Sequence, residues 1–385
     1  MKKDWEIKKL GEILKLEYGK PLPEEKRTVG GCFPVYGANG LKGRSNVFYY
    51  DKKTIVVGRK GSAGEINLTE EKFWPLDVTY FVTFNEKKYD LLFLFHLLTL
   101  LDLPKLAKGV KPGINRNEVY NLEVCIPPLT EQQRIVSTLD ECFSAIEKAK
   151  ANAEQNLQNA KELFESYLQG VFENGNLKTK NGEWRESQLK DVALVFGRGK
   201  SKHRPRNWEG LFGGNYPFIQ TGEVRNANKY VFEYSRTYSD VGLAQSKLWK
   251  KGTICITIAA NIAETAILGF DACIPDSIIG LQIDPKKADL DFTYYLLQYY
   301  KTDLQKLGKG SAQDNINLGT FENRLFPFPP LKEQQTIVHH LDTLRTETQK
   351  LELMYQNKIA NLEELKKSIL RKAFAGELTE KTIIV

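Results

Sequence analysis

Small or apolar side chains recur at 135, 139, 142, 146, 149, 153, 157, 160, 164, 167 and 171, in steps of three and four averaging about 3.6. That spacing marks one face of an α-helix. A second seam follows at Ile337, Leu341, Leu344, Leu351, Tyr355, Leu362, Leu365 and Ile369, with Thr348 as a polar interruption. Both segments, 130–174 and 332–375, begin behind a Pro-Pro-Leu stop and run on for more than forty residues without proline. The pattern predicts two long helices, each about 65 Å at 1.5 Å per residue. Thr130 with Gln133 predicts a capping box at the first start, whereas Lys332 replaces the threonine at the second. Asn174-Gly175 and Ala375-Gly376 predict the two C-terminal stops, since glycine enters the left-handed region freely. Helices this polar are marginal alone in water, so the seams are expected to pack on each other as an antiparallel coiled coil.

The preceding segments, 1–128 and 184–330, alternate short Val/Ile/Phe/Tyr runs (54–58, 78–84, 253–258, 278–283) with Gly and Pro. They read as strands with a few helices, the composition of compact α+β domains. The chain is also duplicated. The segment from Pro127 to Asp140 recurs 202 residues later from Pro329 to Asp342, with ten of fourteen positions identical. Weaker echoes pair Trp5 with Trp184 and Ile114-Asn115 with Ile316-Asn317. The fold expected is therefore α+β: two globular domains separated by two long antiparallel helices, with an internal pseudo-twofold repeat. Its divisions are a first domain (1–128), a first helix (129–175), a linker (176–183), a second domain (184–330), a second helix (331–376) and a tail (377–385). Connectivity would set the domains at opposite ends of a helical rod.

The 385 residues fit two to three domains, and 41% apolar content suffices for their cores. The net charge of +7 becomes informative when divided by segment. Residues 1–128 hold 21 basic and 16 acidic side chains, and 184–330 hold 19 and 15. The helical segments hold 6 against 9 and 9 against 8, so the basic excess lies in the globular domains. The five cysteines form no Cys-x-x-Cys pair and read as reduced thiols. The longest apolar-leaning stretch, 89–103, is too short to span a bilayer and carries Asp90, His96 and Asp102, so a soluble cytoplasmic protein is expected.

A basic excess confined to glycine-rich loops suits double-stranded DNA. Glycine admits a close backbone approach to phosphate, Arg and Lys pair with phosphate or guanine, and Asn or Gln can pair with adenine. In the first domain these loops offer Asn39, Lys42 and Arg44; Arg59, Lys60 and Ser62; and Lys108, Lys111, Asn115 and Arg116. In the second domain the densest cluster is Arg198, Lys200, Lys202, Arg204 and Arg206, free of acids, joined by Arg225, Asn261, Lys309, Ser311, Gln313 and Asn315. The loops differ between repeats more than the helices do, so the two domains would read different half-sites.

Catalytic motifs do not form. The pairs Ile126-Pro127-Pro128-Leu129 and Phe328-Pro329-Pro330-Leu331 lack both ends of the amino-methyltransferase tetrad, and Gly199-Lys200-Ser201 lacks the upstream glycine of a phosphate loop. Pro275-Asp276 followed by Asp284-Pro285-Lys286 echoes a nuclease carboxylate-lysine core, but Pro285 interrupts the strand that should carry the pair. His96, His203, His339 and His340 have no metal-ligand spacing, and the last two read as helix-surface groups. Two other classes compete with a DNA reader: a scaffold whose domains bind proteins, and an endonuclease using Asp276, Asp284 and Lys286.

Two mixed domains, each opening with Trp-x4-Leu and each closed by a Pro-Pro-Leu-x-Glu-Gln-Gln helix, resemble the specificity subunit of type I restriction-modification systems over nearly the whole chain. Gly58-Arg59-Lys60-Gly61-Ser62-Ala63-Gly64 is similar to that family's Arg-x-Gly-x-x-Gly segment, from which Thr257-Ile258-Ala259-Ala260-Asn261-Ile262-Ala263 departs. The resemblance implies a non-catalytic subunit in which two target recognition domains each read half of a bipartite DNA site. It implies that the helices set the spacer and dock two modification (methyltransferase) subunits, with two restriction subunits joining where the system has them. No cofactor is expected in this chain; S-adenosylmethionine, ATP and Mg would bind the partner subunits.

Overall fold

A computed structural model describes residues 4–28, 30–69, 71–180, 183–203, 205–259, 261–309 and 316–378. The chain divides into two compact units, Met1–Gln155 with Tyr355–Val385, and Asn156–Met354.

In the first unit the order is β1 (Glu6–Lys9), α1 (Leu10–Ile13), β2 (Leu14–Tyr18), β3 (Phe33–Gly37), β4 (Gly40–Ser45), β5 (Ile55–Gly58), β6 (Ile66–Leu68), β7 (Trp74–Pro75), β8 (Thr79–Phe84), α2 (Leu91–Leu100), α3 (Arg116–Tyr120), β9 (Glu123–Ile126) and the start of α4 (Leu129–Lys180). A four-stranded antiparallel sheet runs β2-β8-β5-β6, and a smaller sheet runs β4-β3-β7. Side chains alternate across the main sheet. Ile55, Val57, Tyr80 and Val82 face the core built with Phe93, Leu94, Leu97 and Leu98 of α2, while Val56 and Phe81 face Phe73 on the other side.

The second unit continues with β10 (Arg185–Ser187), β11 (Ala193–Arg198), β12 (Phe212–Phe218), α5 (Thr221–Asn226), β13 (Tyr230–Val231), β14 (Arg236–Tyr238), α6 (Asp240–Ala244), β15 (Leu248–Trp249), β16 (Ile254–Thr257), β17 (Thr265–Leu268), β18 (Ala272–Cys273), β19 (Ile278–Ile283), α7 (Leu290–Lys309), α8 (Leu318–Glu322), β20 (Phe326–Phe328) and α9 (Leu331–Phe374). Its sheets run β11-β19-β16-β17-β13 and β14-β12-β18-β15. These are the first unit's sheets with one edge strand added to each, so the duplication persists where sequence identity has gone. The same alternation recurs, with Ile254, Ile256, Ile279 and Leu281 in the main core and Cys255 and Ile278 in the core behind the sheet.

Each unit closes on an antiparallel pair of helix segments. In the first, Ile135, Val136 and Leu139 share the domain core with Leu370, Ala373 and Leu378, and the Lys150–Glu363 and Lys366–Glu147 ion pairs flank the contact. In the second, Leu168 and Phe172 enter the core with Leu341, and Lys178 pairs with Glu333 at 2.7 Å. Each domain thus holds one helix at its start and the other near its end.

The repeated Glu-Gln-Gln motif has a specific task. Gln132 is 1% exposed, donates from Nε2 to the carbonyls of Lys88 and Pro127, and accepts from the Asp90 amide. Asp90 in turn caps α2 by accepting from Phe93 N. Gln334 repeats the arrangement with Pro329 O and the Asp289 amide, and Asp289 caps with Phe292 N. These glutamines pin each long helix to the cap of the helix that covers its sheet.

The structure corrects several helical expectations. α4 begins at Leu129, so Thr130 lies inside the first turn and no Thr130–Gln133 capping box frames the start. It passes through Asn174-Gly175 to Lys180, which absorbs most of the expected 176–183 linker. Gly175 is a packing glycine: a Cβ there would lie 2.3 Å from the Trp184 ring. The first seam moves by one residue after Phe164, so that Leu168 and Phe172 are buried while Tyr167 is 40% exposed. On α9, Leu351 and Leu365 are exposed and Thr348 is buried, with the threonine hydroxyl donating to the Arg345 carbonyl. At the second stop α9 ends at Phe374 and Gly376 takes φ +74°.

Candidate nucleic-acid interface

In the first domain β5 ends at Gly58 and the chain makes a closed loop back to β6. Gly64 N donates to Gly58 O, and Gly58 N to Glu65 O. A Cβ on Gly58 would stand 2.0 Å from Ser62 O and 2.6 Å from Ala38 O, and Gly64, at φ +89°, is pressed against Pro104. These two positions require glycine. The Gly58–Ala38 O approach also sets the Ala38-Asn39 turn of the β3–β4 hairpin beside the loop, bringing exposed Asn39 and Lys42 with it.

A second loop closes against the first. Lys108 and Gly113 exchange both backbone hydrogen bonds, Gly61 N donates to Pro112 O, and Ile114 N donates to Arg59 O. Lys60, Ser62, Lys108, Lys111, Asn115 and Arg116 are thereby gathered on one surface. Lys42, Lys60 and Lys111 are exposed and make no ion pair among the described residues, whereas Lys108 pairs with Glu118 at 2.8 Å. Asn115 caps α3, accepting from Asn117 N. Between the lysines stands fully exposed Val110.

Two arginines frame an aromatic ring at the edge of this surface. The Arg59 and Arg116 guanidiniums lie 5.3 and 4.9 Å from the centre of the half-exposed Tyr18 ring. Tyr18 packs on Tyr80, whose hydroxyl is pushed up to about 12 by burial and by its hydrogen bond to Tyr18. Arg59 also donates from Nε and Nη2 to the Asp77 carbonyl, at 3.0 and 2.7 Å. Arg44 stands apart from the group: its guanidinium donates to the carbonyls of Gly31 and Cys32 and holds that loop.

The second domain follows the same backbone path with other side chains. Thr257 N donates to Glu264 O, Ala263 N to Thr257 O, Ile258 N to Ser277 O and Ile316 N to Ile258 O. Each bond has its counterpart at Gly58, Gly64, Arg59 and Ile114. Ala263 even keeps the positive φ (61°) that glycine supplies in the first domain. The Arg-x-Gly-x-x-Gly segment is lost as sequence and retained as a turn.

The Arg59 position here is buried Ile258, yet the carbonyl it served is still bridged. Arg198, at the end of β11, donates from Nε and Nη2 to Asp276 O at 2.8 and 2.5 Å. Arg206 pairs with the Asp276 carboxylate at 2.6 Å, and Arg225 donates to Asn261 Oδ1 at 3.3 Å. Lys200 and Lys202 are exposed nearby in sequence, and His203 stacks on half-exposed Trp208, 4.9 Å between centroids. Arg204, Ser311, Gln313 and Asn315 lie outside the described residues, as does the Lys309 side chain.

Sequence reasoning missed Tyr18, Val110, Trp208 and the backbone carbonyls of Asp77 and Asp276. One signal was present: the dipeptide Gly19-Lys20 returns as Gly199-Lys200, at an offset of 180 rather than 202. The structure equates them, since Gly19 N donates to Thr79 O and Gly199 N to Ile278 O.

The nuclease-like residues are not assembled. Asp276 precedes β19 and Asp284 follows it, so a six-residue strand holds them about 20 Å apart at ~3.3 Å per residue. Asp284 instead accepts from the backbone N of Lys286, a local turn contact. Among the described residues no group of three His, Cys, Asp or Glu side chains is placed to hold a metal ion, and no helix is long and apolar enough to cross a membrane.

The comparisons agree with this architecture. The family model described as type I restriction modification DNA specificity domain matches residues 2–155 and 181–363. The EcoDI type I restriction enzyme specificity subunit of Escherichia coli is 24% identical, covering 98% of this chain and 89% of its own. The MjaVIII specificity subunit of Methanocaldococcus jannaschii is 25% identical, covering 99% and 94%. The crystal structure of the HsdS subunit from Thermoanaerobacter tengcongensis superposes with a TM-score of 0.65 at 20% identity, over 98% of both chains, which establishes the likeness of fold.

Proposed function

The chain belongs to the type I restriction-modification DNA-specificity family, and from that premise we propose that its two domains each read one half of a bipartite, asymmetric DNA site. The observation that carries the reading is the shared loop scaffold. One backbone path, fixed by equivalent hydrogen bonds in both units, displays Lys60, Ser62 and Lys111 in the first and Asn261, met by Arg225 of α5, in the second. A common frame with exchanged side chains is what two different half-sites require. The exposed lysines supply phosphate contacts that fix register, and the Asn, Ser and Arg side chains supply the hydrogen bonds that distinguish bases.

The helices, which carry no basic excess, set the unread spacer and dock two modification subunits in this reading. Two restriction subunits join where the system includes them. S-adenosylmethionine, and ATP with Mg, bind those partners, and this chain contributes recognition rather than chemistry.

The test uses the complex reconstituted with its modification subunits. Methylated-base sequencing should return one split motif, and binding to that motif should weaken steeply with salt, log K falling by about 0.9 per phosphate contact for each unit of log salt. Methylation indifferent to sequence, with binding nearly flat in salt, would sink the proposal. Inserting one heptad into both helices should lengthen the spacer and leave both half-sites unchanged; altered half-sites would show that the helices are not the ruler.

A further inference from the structure

The repeat has exchanged the source of one guanidinium while keeping its target. In the first domain Arg59, just beyond β5, places Nε and Nη2 on Asp77 O; in the second, Arg198, at the end of β11, places the same two atoms on Asp276 O. The carbonyls are equivalent, since each stands two residues before the strand that pairs with both β-elements: Tyr18 faces Tyr80 and Gly58 faces Thr79, as Arg198 faces Ile279 and Thr257 faces Ile278. By that register Tyr18 occupies the Arg198 position and Ile258 occupies the Arg59 position. An arginine has been gained on one of the two strands that flank β8 or β19 and lost beyond the other, around an unchanged acceptor.

The acceptor lies at the junction of the recognition loop. The residue after it receives the loop's first backbone bond, Arg59 N to Val78 O in one unit and Ile258 N to Ser277 O in the other. A forked guanidinium with two donors on one oxygen fixes the turn before β8 or β19 more tightly than a single donor can. Losing it would leave the loop's hydrogen-bonded base but free its orientation.

We propose that Arg59 and Arg198 are interchangeable positioning residues, each holding the recognition loop of its own domain through the Asp77 or Asp276 carbonyl rather than reading bases. The proposal rests on the DNA-reading function above and names the residues that orient its loops. The readers are then the neighbouring side chains, Lys60, Ser62 and Lys111 in one domain and Asn261 with Arg225 in the other.

The experiment compares four complexes, each with modification subunits: wild type, Arg59→Ile, Arg59→Lys, and Tyr18→Arg with Arg59→Ile, which transplants the second domain's arrangement into the first. Binding is measured on the cognate site and on single-base variants of each half. Arg59→Ile should lower discrimination at its own half-site about tenfold, the size of one lost base contact, and leave the other half-site unchanged. Arg59→Lys, with a single point donor, should not restore it; the double variant should recover most of it. Should the double variant be no better than Arg59→Ile, or should Arg59→Ile weaken all sequences equally while reducing the salt slope by one phosphate, the arginine is a direct contact and the proposal is overturned. If Arg59→Ile unfolds its domain, Arg198→Ala makes the same prediction for the other half-site. A wild-type complex without split-site preference would instead refute the DNA-reading function itself.

Discussion

Replacing Gln132 by Ala isolates the contact that fastens a long helix to its domain. The buried amide makes three hydrogen bonds, two from Nε2 at 3.1 and 2.9 Å and one into Oε1 at 2.9 Å. Truncation leaves the Asp90 N–H and the Lys88 and Pro127 carbonyls without this partner. At roughly 1–3 kcal/mol for each buried group left unsatisfied, and with water recovering part of the loss, the cost should be about 2–4 kcal/mol. The damage should be local, because Asp90 is also the cap of α2. Amide hydrogen exchange reads it directly: exchange at Asp90 and along α2 should speed up by roughly 30- to 700-fold, at a factor of ten per 1.4 kcal/mol. Gln132→Glu should lose most of the same stabilisation, since it keeps the acceptor for Asp90 and loses both donors. Exchange along α7, which Gln334 holds in the second unit, should not change. A rise under about threefold in α2, or an equal rise in α7, would show that the helix is held by its apolar seam and not by this glutamine.

Gly175→Ala should destabilise the second unit by about 1–3 kcal/mol, because the added methyl meets the Trp184 ring at 2.3 Å; an unchanged melting curve and unchanged tryptophan emission would contradict this packing role. His96 gives a pH dependence: burial holds its pKa below the ordinary 6.5, opposed by Asp140 and Asp90 and aided by Lys366. The unfolded chain takes up the proton first, so the first unit should keep its full stability above pH 6.5 and lose some as pH falls towards the lowered folded-state value. His96→Leu should flatten that part of the stability profile, and a profile identical to wild type would remove the histidine from the account.

Much of the molecule was legible in the sequence because its determinants are local or periodic. The 3.6-residue seams announced two long helices, the Pro-Pro-Leu-x-Glu-Gln-Gln duplication announced the repeat, and the confinement of basic excess to the loop-rich segments pointed to DNA. The errors came where a distant residue decides. Gly175 has the local signature of a helix stop, but Trp184 packs against it and α4 continues. Tyr167 and Leu351 satisfy the periodicity and remain exposed, because the opposing helix and domain choose which face is buried.

The candidate site was only half visible for a related reason. A list of basic and amide side chains follows from composition, but which of them are engaged by the fold depends on carbonyls far away in the chain. Arg44 closes the loop at Gly31 and Cys32, and Arg59 and Arg198 meet equivalent carbonyls, Asp77 O and Asp276 O, from opposite sides of the strand that follows. Sequence fixes a side chain's chemistry, and strand pairing fixes what lies opposite it. The relocation of one arginine between the two strands that flank β8 or β19 leaves no pattern along the chain, because the two positions are brought to one carbonyl only by pairing across the sheet.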